Sequence, residues 1–149
     1  ADVWNMGIGG ARMEAFLSST VPDYAYDICT IAYGVNDFNS SMPVAQYLAN
    51  AKALLGALVD RRPGKPVIAI APIPFLSDKT VNANGETLDD FRAALAVAAA
   101  HLPNVTVIDG RTLVPAESGM FVDGCHPNAA GARAYAAGLL PIMQSCLKR

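Results

Sequence analysis

Three stretches of the chain are apolar almost without interruption: Asp27-Ile-Cys-Thr-Ile-Ala-Tyr33, Lys65-Pro-Val-Ile-Ala-Ile-Ala71 and Asn104-Val-Thr-Val-Ile-Asp109. Short runs rich in Val and Ile and bounded by polar or turn residues predict strands covered on both faces, as in a parallel sheet. Between them the apolar positions follow a helical period. Val44, Tyr47, Leu48, Ala51, Leu55, Leu58 and Val59 predict a helix that starts near Ser41 and Pro43 and stops at Arg61-Arg62-Pro63-Gly64. A second helix opens at the capping-box-like Thr87-Leu-Asp-Asp90 and presents Phe91, Leu95, Ala98 and Leu102 on one side. A third runs from about Asn128 toward Cys146, with Pro141 as an expected kink. Asp2 to Met6 predicts one more strand, feeding Gly7-Ile-Gly-Gly10 and a short helix that holds Met13, Phe16 and Leu17. Strand and helix then alternate along the whole chain. With right-handed crossovers this builds a three-layer α/β/α sandwich around a mostly parallel sheet, and ligands bind at the carboxyl ends of its strands.

Composition narrows the picture. With 149 residues, 52% hydrophobic and 16% charged, the chain is expected to form a single domain over 1–149 and is too apolar to be disordered. The formal net charge of −2 and the lack of any basic cluster beyond Arg61-Arg62 argue against a nucleic-acid partner. The longest apolar run, Pro66 to Leu76, contains three prolines and is far shorter than the roughly 20 residues of a membrane span. Cys29, Cys125 and Cys146 are an odd number without a C-x-x-C pair, which argues against a disulfide framework and a thiolate zinc site. Cys29 reads as a small strand hydrophobe. Ala1-Asp2 is not a translation start, and the compartment, secreted or cytoplasmic, stays open.

The loops that follow the predicted strands carry the chemistry: Gly7-Ile-Gly-Gly10, Gly34-Val-Asn-Asp37, Pro72-Ile-Pro74 and Asp123-Gly-Cys-His-Pro127. Asp123 three residues before His126 is the spacing at which a carboxylate orients an imidazole in a nucleophilic triad. The same residues also fit a plain turn and N-cap before the last helix. Gly34-Val-Asn-Asp37 reads either as a local strand-end turn or as a loop that aims the Asn36 amide at a developing oxyanion. A dinucleotide fingerprint starting at Gly7 needs Gly or Ala where Arg12 stands, and no G-x-x-x-x-G-K-S/T occurs, so no nucleotide cofactor is expected. No metal is implied: the histidines are His101 and His126, and His101 lies at a helix end, where a dipole contact explains it.

The order of these blocks, on an α/β alternation, resembles the SGNH (GDSL-type) hydrolase superfamily. Asn5-Met-Gly-Ile-Gly-Gly10 is similar to its second block, Tyr33-Gly-Val-Asn-Asp37 to its third and Asp123-Gly-Cys-His-Pro-Asn128 to its fifth. The resemblance implies a serine ester hydrolase in which His126 is the general base and Asp123 its orienting carboxylate. It also implies that the Gly10 backbone N–H and the Asn36 side-chain amide are oxyanion-hole donors.

The family's first block, Gly-Asp-Ser with the nucleophile, is absent from these residues. Ser18 and Ser19 fall on the first short helix, Ser40 and Ser41 read as helix caps, and Ser77, Ser118 and Ser145 lie in no motif. The family's usual sheet order, 2-1-3-4-5, puts the missing strand in the middle, where an open slot would leave backbone groups unpaired. Two expectations follow. Either an earlier segment of the protein or a separate polypeptide supplies the serine, or the chain is a non-catalytic, pseudo-esterase module that binds an acylated ligand. Pocket walls are expected from Phe38 to Met42, Pro74 to Glu86 and Glu117 to Val122, with Phe38, Phe75 and Phe121 as candidates to line an acyl pocket. Loops this short leave little room for a lid, which favours small esters, such as acetyl groups on sugars or short-chain acyl esters, as the small-molecule partner.

Overall fold

The computed structural model describes residues 2–77 and 80–148. Its elements are β1 (Cys29–Ala32), α1 (Val35–Asn39), α2 (Val44–Arg61), β2 (Val67–Ile70), α3 (Leu88–Ala99), β3 (Val105–Ile108) and α4 (Ala129–Cys146), with 3-10 turns at Ala15–Ser19, Gly110–Thr112 and Ser118–Met120. The strands form one parallel sheet in the order β1-β2-β3, with Cys29 beside Val67 and Val67 beside Val105.

The period of two in β2 explains the layers. Val67, Ala69 and Ala71 face α2 and α3, in a core that also holds Tyr47, Leu55, Phe91 and Leu95. Ile68 and Ile70 point the other way and join Ile108, with Tyr135, Leu139, Ile142 and Met143 of α4 packed against them. Helices on both sides of a mostly parallel sheet make the expected three-layer sandwich. α2, α3 and α4 begin close to where the sequence predicts, whereas the short helix α1 falls in a block read as a strand-end turn. Thr87 caps α3, with Asp90 N–H donating to Thr87 Oγ1 and Thr87 N–H to Asp90 Oδ2 at 2.7 Å. The Asn128 side chain accepts the Ala130 and Gly131 N–H groups at the start of α4, which continues through Pro141 to Cys146.

Two expectations are corrected. Residues 2–8 form no strand: Val3, Trp4, Met6 and Ile8 are exposed, and no described strand lies beside them to complete a ladder. A run of apolar residues becomes a strand only where a neighbour accepts its backbone bonds. The phenylalanines also belong elsewhere. Phe38 is buried, edge-on to Phe75 and Phe91, and Phe121 is buried in the α4-side core, so neither Phe38 nor Phe121 lines the cavity described below.

β1 differs from β2 in one respect. All four residues of β2 are buried, whereas in β1 Thr30 and Ala32 are exposed and Cys29 and Ile31 half-buried. Its outer edge has no strand partner among the described residues. No helix among the described residues is long and apolar enough to cross a membrane.

Candidate active site

A cavity of about 240 Å³ opens at the carboxyl ends of β1 and β2. Ala32 to Asn36 form one wall, Ile70 to Ile73 the floor, and Ala11, Cys125, His126, Pro127 and Tyr135 the rest. His126 and Asn36, far apart in sequence, therefore share one cleft. Gly10 and Asp123 stand just outside it, Gly10 next to Ala11 and Asp123 behind the imidazole.

The His126 turn is closed locally. Asp123 Oδ1 accepts the His126 N–H at 2.8 Å and the Cys125 N–H at 3.0 Å, while Oδ2 lies 2.8 Å from His126 Nδ1. A carboxylate on Nδ1 keeps the proton on that nitrogen and leaves Nε2 as the acceptor. The two N–H donors and the imidazole hold the Asp123 carboxyl well below the usual carboxylate range. Both side chains are exposed, His126 at 76% and Asp123 at 53%, so the imidazole can meet a reactant. The turn is anchored at its base by Val122 N–H to His126 O, 2.8 Å, and at its apex by Leu76 N–H to Gly124 O, 2.7 Å. Gly124 is required there: its φ is +79°, and a Cβ would stand 2.4 Å from Leu76 O.

The Asn36 turn is built from the core outward. Gly34 has φ +122°, and a Cβ would come within 2.5 Å of Pro72 Cγ, so only glycine lets the chain leave β1 this closely packed against the next loop. α1 then begins at Val35 and carries Asn36, whose Nδ2 donates to Ala11 O at 3.0 Å. One N–H of that amide is thus used to tie the Gly9-Gly10 segment to the cavity wall, and the second is left to bond a ligand. Gly10 has φ +75° in a turn closed by Ala11 N–H to Ile8 O.

The loop after β2 is fixed by Arg92 of α3, whose Nε and Nη2 donate to Pro72 O and Ile73 O at 2.9 and 3.0 Å and whose Nη1 meets Asp89 at 2.8 Å. The floor that it supports is largely apolar. Cys125, half-buried in the wall, has its thiol pushed up by burial and by the Asp123 charge, so it is a poor thiolate.

The sequence points to the Pro72-Ile-Pro74 and Asp123–Pro127 loops, which supply Pro72, Ile73 and Cys125 to the lining, but gives no sign of Tyr135. No described residue of the expected walls at 38–42, 74–86 and 117–122 borders the cavity, which is drawn by strand ends rather than by loop middles; residues 78 and 79 lie outside the described residues. No serine lines it among the described residues. Ser18 and Ser19 bond back to their own turn, Ser40 Oγ donates to Asp37 O, and Ser77 borders a separate cavity beside Arg92. No cluster of three metal-ligating side chains occurs among the described residues.

Comparison with known proteins agrees with this architecture. The family model of the GDSL-like lipase/acylhydrolase family matches residues 1–134. The chain belongs to that family, an SGNH-type class of ester hydrolases. Among solved structures it is similar to a protein from Lactobacillus plantarum, with 24% identity and a TM-score of 0.81 over 95% of this chain and 80% of that one. A carbohydrate esterase family 3 protein from Talaromyces cellulolyticus shares 19% identity and a TM-score of 0.70 over 93% of this chain and 69% of its own. An acetyl esterase mutant solved with an acetate ion matches at 20% identity and TM-score 0.70, over 93% and 69%. At these identities the likeness is one of fold. A comparison with curated proteins found no match.

Proposed function

We propose that these residues carry the base, the orienting carboxylate and the oxyanion donors of a serine ester hydrolase acting on small or short-chain acyl esters, acetylated carbohydrate among them. The observation that carries this reading is the Asp123–His126 pair, with Nδ1 held and Nε2 free, opening on the same cleft as Asn36. The small cavity favours a short acyl group, and the acetyl and carbohydrate esterases of the same fold favour the same substrate class.

In this reading a serine Oγ attacks the ester carbonyl carbon and its proton passes to His126 Nε2. The Gly10 N–H and the second Asn36 Nδ2–H take the charge that develops on the carbonyl oxygen. Collapse of the tetrahedral species breaks the ester C–O bond, and His126 hands its proton to the leaving alcohol. Water, activated by the same imidazole, then releases the acid and restores the serine. The serine comes from a segment outside residues 1–149 that pairs with the free outer edge of β1, whose end borders the cleft. We take 1–149 as one domain that this strand completes.

The lack of a described serine in the cleft favours a second reading, a non-catalytic pseudo-esterase module that binds an acylated ligand. Denaturing intact-mass spectrometry of the native protein, before and after a serine-directed phosphonate, separates the two. A longer chain or a second polypeptide that gains the adduct, with ester hydrolysis abolished by His126→Ala, supports the hydrolase. A lone 15.6 kDa species that stays unlabelled supports the binding module.

A further inference from the structure

Asp37 has no part in the chemistry described above, yet it is among the most enclosed side chains of the molecule, with no exposed surface. Its two oxygens are divided between two segments. Oδ1 accepts the Met13 N–H at 2.7 Å, and Oδ2 accepts the Gly34 N–H at 2.9 Å. Met13 lies three residues after Gly10, and Gly34 two before Asn36. A second buried side chain holds the same segment from the other side, Asn50 of α2 donating from Nδ2 to Met13 O at 2.7 Å. Asn36 then closes the circuit through Ala11 O.

Burying a carboxylate is costly, and hydrophobic packing alone needs none at this position. Burial pushes the Asp37 carboxyl above its ordinary value, against the pull of the backbone N–H groups that bond it. What a carboxylate offers that no apolar or amide side chain does is two acceptor oxygens in one plane, one for each segment. A Gly10 N–H and an Asn36 amide that are to meet one oxygen atom must each be held to within about half an ångström of the productive geometry.

We infer that Asp37 is a positioning residue that sets the spacing between the two oxyanion donors by clamping the Ala11–Met13 segment to the Gly34–Asn36 turn. The inference rests on the proposed hydrolase reading and deepens it. Asp37 touches no reactant and acts through Asn36 and Gly10. Asparagine at position 37 keeps the shape but only one acceptor, so one of the two N–H groups faces an N–H₂ and the clamp opens on one side.

The test is a double-mutant cycle in the complete, serine-bearing protein, with active sites counted by phosphonate titration. Asp37→Asn is expected to lower kcat per active site by about 10- to 100-fold with KM changed less than about twofold, the signature of lost transition-state binding. In an Asn36→Ala background the same change is expected to cost less than about threefold, because the donor it positions is gone. Equal losses in both backgrounds, or a kcat within about twofold of the parent, overturn the inference while leaving the hydrolase reading intact. A readout independent of turnover is the ¹⁵N–¹H spectrum, in which the Gly10 and Ala11 amides, distant from position 37 in sequence, shift or broaden in Asp37→Asn. If the parent hydrolyses no ester, the hydrolase reading fails and these amides decide: a shift upholds the clamp and unmoved peaks overturn it. Should Asp37→Asn not fold, Asn50→Ala replaces it, with an expected kcat loss of about 3- to 10-fold at constant KM, and unchanged kcat counts against the clamp.

Discussion

The side chains of the Asp123–His126 turn are fixed by the turn's own residues, with Leu76 touching only its Gly124 backbone, whereas the Gly34–Asp37 turn is also held by residues far away in sequence. In the first, one carboxylate three positions back holds both the backbone and the imidazole, and the side chains stand in solvent. In the second, bonds and contacts to Met13, Ala11 and Pro72 join the turn to other parts of the chain, beside the local bond from Gly34 N–H to Asp37 Oδ2, and Asp37 is buried. A local turn can be altered with little effect on folding. A turn assembled from the core cannot, so on that side of the cleft geometry and stability are coupled.

Asp123→Asn should produce the largest change, about a 10⁴-fold loss in kcat, through loss of the tautomer that Oδ2 enforces. Its melting temperature should stay near the parent's. The sign at this turn is set by a depressed carboxyl: its contribution is present above the unfolded-state value and lost only as pH falls through the folded one. The melting difference between variant and parent should therefore be flat from about pH 5 to 8 in a calorimetric series, and a marked slope there would show that the turn is not self-contained. Asn36→Ala should follow, with about a 10²- to 10³-fold fall in kcat and a smaller change in KM, measured on a chromogenic acetyl ester.

Gly34→Ala probes the coupling itself. Strain at φ +122° alone is worth about 1–3 kcal/mol, before the clash with Pro72, so thermal denaturation should begin several degrees earlier, about 2–4 °C for each kcal/mol. Activity should fall with it. The smallest effect concerns Asp37. Its folded carboxyl titrates above the unfolded one, so its contribution is fullest in acid and is lost as pH rises through the folded value. The melting gap between the parent and Asp37→Asn should narrow as pH is raised, and a widening gap would reverse the assigned direction.

Local turns are also what a sequence shows most readily. The capping box at Thr87–Asp90, the Asn128 cap and the three-residue spacing of Asp123 and His126 are all readable because partner and position lie within one turn. The strand cores at 29–32, 67–70 and 105–108 are readable as well, since β2 is flanked by layers on both faces and its apolar run is unbroken. Asp2–Met6 misleads because a strand depends on its neighbour, and composition carries no trace of one. Phe38 and Phe121 mislead because an aromatic next to a motif points into the core as readily as into a cleft. Asp37 was visible as a letter in a motif, but its two partners lie 24 positions back and three positions back, and only the fold shows that they belong to different segments.

The outer edge of β1 also governs how this polypeptide behaves in a tube. A backbone edge with no strand partner among the described residues, flanked by exposed Thr30 and Ala32 and with no charge between Ile28 and Asn36, is a template to which an extended chain can add. Preparations of residues 1–149 on their own should therefore self-associate as concentration rises. Light scattering should register that growth, and a lysine at Thr30 should suppress it. Under the proposed hydrolase reading the same edge sets a practical order for production: a strand that completes it would have to be present in the same cell, at the time of synthesis, before the edge can pair with another copy.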